Sequence, residues 1–247
     1  MLQRLLTSAL FAGFAAGLIL ALLQISLLSP VIIEAEAYES GALVHFEGMG
    51  ASAPDNHAGG GETTTAESDA AQSHGDAALD DESWLARSSR TALSTILTSL
   101  GYAFLMVAGF AMAERSGINV RARSGILWGL AGFAAFNLAT ALGLPPELPG
   151  SIAAPLEARK LWWIGTALAS VVGLASIAFG KNWLHWAVGI ALLALPHIVG
   201  APHPDAFGGV VPPELQGQFV GLSLGVSAIG WAVLGLLAGY MWAKRAE

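Results

Sequence analysis

Apolar runs, each about as long as a membrane-crossing helix, alternate with short polar connections along most of this chain. The runs cover residues 5–28, 91–113, 125–144, 161–180, 183–200 and 219–243, and none holds an Asp, Glu, Lys or Arg in its core. About 20 apolar residues in a helix cross a bilayer's hydrocarbon. The pattern therefore predicts an all-α polytopic membrane protein, a six-helix transmembrane bundle filling residues 1–247 as one domain. Short connections make sequence neighbours antiparallel, so the expected units are helical hairpins of the first run with the second, the third with the fourth, and the fifth with the sixth.

Two segments qualify that picture. The first run is 24 residues long, whereas a secretory signal's apolar region is about 7–15. It is expected to stay as a span, although Arg4 precedes it and Ala35-Glu36-Ala37 follows. Residues 39–83 are rich in Gly, Ala, Ser, Thr, Asp and Glu. They offer too little apolar surface to offset ordering, and predict a disordered acidic outer loop.

Charge supplies a direction. With a cytoplasmic amino terminus, Arg4, Arg115, Arg121, Arg123, Lys181, Lys244 and Arg245 fall inside, against Arg87, Arg90, Arg159 and Lys160 outside. This is the positive-inside bias, and it puts both termini in the cytoplasm of a multi-pass cell-membrane protein. Sixteen of the 18 acidic residues then lie outside, where they attract cations. At 54% hydrophobic and 12% charged residues the chain is no ordinary soluble domain. A net charge of -7 argues against nucleic acid as a partner, and the lack of cysteine excludes disulfides and thiolate metal ligands.

Leu144-Pro145-Pro146-Glu147-Leu148 and Val211-Pro212-Pro213-Glu214-Leu215 repeat one motif after the third and fifth runs. A repeat in the same orientation predicts a pseudo-twofold axis along the membrane normal. The alternative is that Pro-Pro-Glu is simply a good way to begin a helix. Glycines four apart, Gly13 and Gly17, Gly125 and Gly129, Gly221 and Gly225, Gly235 and Gly239, predict close helix contacts.

Candidate chemistry gathers at the outer ends. Pro196-His197 and Pro202-His203 stand six residues apart ahead of Asp205. Imidazole and carboxylate suit Co(II), Ni(II) or Zn(II), and the missing thiols disfavour Cu(I). Glu34 and Glu36 follow the first run, so the candidate metal ligands are His197, His203, Asp205, Glu34 and Glu36, with Glu147 and Glu214 as second choice. The competing role for the histidines is to cap a helix end at the interface, and for the acids to be solvated. His45, His57 and His74 are scattered through the acidic loop and match no metal template; His185 reads as structural. Gln24, Asn137 and Thr140 are the polar residues inside spans that could line a path, or bond helix to helix. The chain has no phosphate-binding loop, carboxylate relay or nucleophile and base constellation. No enzyme activity and no prosthetic group are expected.

Ile33-Glu34-Ala35-Glu36, Gly143 through Gly150, Ala158-Arg159-Lys160-Leu161-Trp162-Trp163, Leu195 through Pro204 and Val211 through Leu215 form an ordered set along the chain. In these stretches the chain resembles the CbtA family of predicted cobalt transporter subunits. The resemblance implies uptake of Co(II) for corrinoid synthesis, alongside a small histidine-bearing membrane partner, CbtB. The competing class is a membrane scaffold or assembly protein with no permeation path.

Overall fold

The computed structural model describes residues 2–44, 84–206 and 208–244. The acidic segment, with His45, His57 and His74, lies outside these residues. The described chain is helical, and each apolar run has become a helix: α1 Leu2–Glu39, α2 Trp84–Arg115, α3 Ala122–Ala141, α4 Leu156–Phe179, α5 Trp183–Val199 and α6 Pro213–Lys244. Five are long and apolar enough to cross a membrane, while α5 has only 17 residues. At 1.5 Å per residue α5 reaches about 26 Å, slightly under the roughly 30 Å hydrocarbon core.

Two helices change pitch where the sequence places an amide side chain. Gln24–Leu28 in α1 and Ala134–Leu138 in α3 are π turns, wider turns found often at functional positions. The one in α1 sits just before Pro30, whose missing N–H and bulky ring a regular turn would accommodate poorly. Because the helix carries on past this proline to Glu39, Glu34 and Glu36 lie on α1 itself, and two residues apart on a helix they face different ways.

Helix α6 is the centre of the bundle, lying along α1 on one side and α3 on the other, while α2 lies along α1 and α4 along α5. The third expected hairpin is thus opened out: α5 rests on α4 and makes no comparable contact with α6. Glycine explains the preference. Gly125 and Gly129 of α3 meet Gly235 and Gly239 of α6 backbone to backbone, so that a Cβ on Gly239 would fall 2.8 Å from the Cα of Gly125. Gly13 and Gly17 likewise face the Cα atoms of Leu100 and Ile96 in α2, each at 2.8 Å from a built Cβ. A Cβ built on Gly221 or Gly225 would meet nothing within 4 Å among the described residues.

Both ends of the described chain meet at one face. Arg4 forms a two-bond ion pair with Glu114, at 3.1 Å for each contact, and donates through Nε to the Trp242 carbonyl at 2.9 Å. Trp242, fully buried, donates to Glu114 at 2.7 Å and lies under the Arg4 guanidinium at 3.9 Å. At the opposite face Leu28, Val31, Leu148, Leu215 and Phe219 close the bundle with a second apolar cluster.

Candidate functional site

The two Pro-Pro-Glu-Leu motifs touch but fold differently. Pro146, Glu147 and Leu148 lie in a segment without regular secondary structure, whereas Pro213, Glu214 and Leu215 open α6. Gln216 joins them: its Nε2 donates to the Pro146 carbonyl at 2.7 Å and its Oε1 accepts from the Leu148 N–H at 3.1 Å. Leu148 and Leu215 are both buried beneath. This clasp holds the loop 142–155 over the first turn of α6 and shapes the mouth of a cavity.

That cavity has a volume of about 560 Å³ and runs between α3, α4 and α6. Its rim carries Glu147, Arg159 and Lys160 and its depth carries Tyr102, Asn137, Thr140, Ser223 and Ser227. Arg159 pairs with Glu147 at 2.8 Å and Lys160 with Glu157 at 3.0 Å, so the rim is close to neutral. The deep lining is uncharged oxygen and nitrogen. Thr140 donates to the Phe136 carbonyl at 2.9 Å, and Asn137 accepts from Trp231 Nε1 at 2.7 Å. Ser223 is buried and its hydroxyl has no partner among the described residues.

A second cavity of about 350 Å³ lies between α1, α2, α3 and α6. On α2 its wall is Ser94, Thr95, Thr98, Ser99 and Tyr102, which recur at helical spacing on one face. Gln24 closes the α1 side and accepts from the Thr95 hydroxyl at 2.5 Å. Tyr102, Asn137 and Ser227 line both cavities. Between them stand Phe136, facing the first, and Trp231, facing the second, stacked at 5.6 Å with planes 9° apart.

Among the described residues no three His, Asp or Glu side chains stand where they could share an ion. His197 is exposed on the last turn of α5 against the edge of Trp162, and His203 is exposed with Nδ1 3.2 Å from the Pro204 carbonyl. Asp205 and Glu34 are exposed, and Glu36 is paired with Arg87 at 2.8 Å. Of the second-choice acids, Glu147 belongs to the rim and Glu214 is exposed on the first turn of α6. The polar residues singled out inside the spans fared differently: Gln24, Asn137 and Thr140 all line a cavity. The hydroxyl face of α2 was equally visible as a stripe of Ser and Thr in an apolar run, and would have pointed to the second cavity. Trp231 carried no sequence signal, since one more tryptophan in a transmembrane run is ordinary.

The family model described as "Probable cobalt transporter subunit (CbtA)" matches residues 2–243. No curated protein and no solved structure matches the chain.

Proposed function

The chain belongs to the CbtA family of probable cobalt transporter subunits, and from that premise we propose that it receives Co(II) at its outer face and admits it through the cavity between α3, α4 and α6. One observation carries the reading: this cavity brings uncharged oxygen atoms from the outer rim to the middle of an otherwise apolar bundle. Polar groups within a membrane span are costly and tend to mark a pathway or a helix contact. Asn137 and Thr140 have such contacts, but the unpaired hydroxyl of Ser223 serves none.

The outer acids concentrate the cation by their field. His197, His203, Asp205, Glu34 and Glu36 act in this reading as separate, weak collecting positions, from which an ion passes easily because no cage holds it. The neutralised rim then neither traps nor repels a dication. Nitrogen and oxygen donors do not separate Co(II) from Ni(II), which should compete at least as well. Both termini are placed in the cytoplasm, and corrinoid synthesis and a small CbtB-like partner are the proposed destination and companion.

The test is cobalt uptake by proteoliposomes loaded with a fluorescent chelator, with and without the small partner. Uptake above that of empty liposomes, competed by Ni(II), is the expected result. Folded protein that gives no uptake in either arm would leave the scaffold reading in its place.

A further inference from the structure

The two ends of the bundle settle their charges differently. At the end that carries the Pro-Pro-Glu-Leu motifs, cations are matched within the chain: Arg87 pairs with Glu36, Arg159 with Glu147 and Lys160 with Glu157. At the opposite end, where Arg4 meets Glu114 and Trp242, a set of cations is left over. Arg115 ends α2, Arg121 and Arg123 open α3, Lys181 lies between α4 and α5, and Lys244 ends α6. Helix contacts bring these places to one face: Gly239 of α6 lies against Gly125 of α3, Phe179 of α4 against Trp128 of α3, and Trp242 of α6 against Glu114 of α2. All five residues are exposed, and none forms an ion pair among the described residues. No acid is at hand to relieve them. Within residues 2–12, 108–128, 176–188 and 236–244 Glu114 is the one Asp or Glu, and Arg4 already holds it through two bonds. Five like charges on one face repel one another and draw anions from outside the chain.

We propose that this face is a binding site for anionic phospholipid, with Arg115, Arg121 and Arg123 on the headgroup phosphates. What lies one turn away singles out a lipid. Leu127 follows Arg123 by four residues and Met112 precedes Arg115 by three, spacings that share one side of a helix. Both apolar residues are open to the surroundings, at 68% and 69% exposed. Just past Lys181 come Trp183 and Trp186, also exposed, amphipathic rings of the kind that sit at headgroup level. Cation and apolar surface thus follow one another in the order in which a phospholipid presents its phosphate and its acyl chains. Free phosphate or an acidic protein would meet the charges alone. Arginine suits the phosphate because its planar fork can hold two oxygens at once. Each basic residue beside an anionic membrane surface strengthens binding by about fivefold. The site follows from the membrane setting and the charge pattern, and does not depend on which ion the protein carries.

The probes are dioleoyl phosphatidylglycerol, dioleoyl phosphatidylcholine and inorganic phosphate, each titrated into the purified full chain in a neutral detergent. Native mass spectrometry would count bound lipid, and melting in detergent would follow its effect. Phosphatidylglycerol should bind at least tenfold tighter than phosphatidylcholine and raise the Tm, and the gap should narrow as salt rises. Exchanging the three arginines together, as Arg115→Gln, Arg121→Gln and Arg123→Gln, should bring the two lipids within about twofold of each other, since three contributions of about fivefold are lost. The matching Arg→Lys exchange at the same positions should restore most of the preference, which a purely structural role for the arginines would not do. Lys160→Gln, a charge lost at the other end, should leave the preference intact. Should the triple glutamine variant fail to fold, the single variant Arg123→Gln takes its place, with an expected loss of about fivefold. The proposal is overturned if the native chain binds both lipids equally, or if the preference survives in the glutamine variant. It is also overturned if inorganic phosphate raises the Tm as far as phosphatidylglycerol does, a result that would mark a site for a free anion.

Discussion

At the scale of single residues, the firmest polar assembly is the one that joins Arg4, Glu114 and Trp242. Both charges are about one-fifth exposed, so solvent screens them only in part, and every strong donor of the set meets an acceptor. Removing the carboxylate would strand a guanidinium over an indole and leave the Trp242 N–H without its acceptor. Glu114→Ala should therefore cost about 1–3 kcal/mol, below the 3–5 typical of a fully buried pair. Thermal unfolding in detergent would measure it, and a double-mutant cycle with Arg4→Ala should return a coupling of at least about 0.5 kcal/mol. A Tm unchanged in Glu114→Ala would mean the contacts are ornamental. Either residue was legible as a charge near a span end, yet their pairing across 110 positions depends on α1 and α2 being neighbours, which only the fold decides. For His197 and His203 residue type and the stiffening prolines were plain, whereas convergence on one ion is a property of backbone paths. With His197 and His203 both exposed, replacing both by alanine should raise the Co(II) concentration needed for half-maximal uptake and leave the maximal rate unchanged. A lost maximal rate would instead place them in the path itself.

At the scale of helices, small residues decide which pairs form. Four glycines let α3 and α6 touch through their backbones, and dispersion together with backbone contact drives helix association where lipid removes the hydrophobic term. Gly129→Val would set a side chain against the Trp231 carbonyl. It should destabilise the protein by more than about 2 kcal/mol or prevent folding, by the overpacking that makes such changes severe. Gly221→Ala and Gly225→Ala, with nothing within 4 Å, should stay within about 0.5 kcal/mol. Size-exclusion profiles and detergent melting of the three variants would show the contrast, and equal behaviour would undo the assignment of the α3 and α6 interface. Four spacings looked alike in the sequence, but three became contacts, because spacing marks a helix face as smooth without naming what lies against it. The two copies of Pro-Pro-Glu-Leu likewise differ locally: the second opens a helix, whereas the first lies in a loop held by Gln216. Helix α5 lies along α4, while the glycine face of α6 lies along α3.

At the scale of the whole molecule, the number of helices and their membrane character were legible because lipid imposes length and hydropathy on every span. Their arrangement was not, since an apolar run reads the same whichever neighbour it meets. Helices α1 and α2 are tied at one end by Arg4 and Glu114, midway by Gly13 and Gly17 on Leu100 and Ile96, then by Thr95 on Gln24, and at the other end by Arg87 on Glu36. A segment between two helices already joined along their length adds only loop-closure entropy, which changes slowly with length. Deleting residues 51–80 should thus leave the detergent melting temperature within a few degrees of the intact chain. The same deletion removes six carboxylates and two histidines, and with them part of the field that concentrates cations at the outer face. Uptake at low Co(II) should fall in low salt and converge on the intact chain as ionic strength rises, because the Debye length shrinks to about 8 Å at 0.15 M. A deficit that persisted at high salt would show that the segment binds the ion directly, and a collapse in melting temperature would show that it belongs to the body.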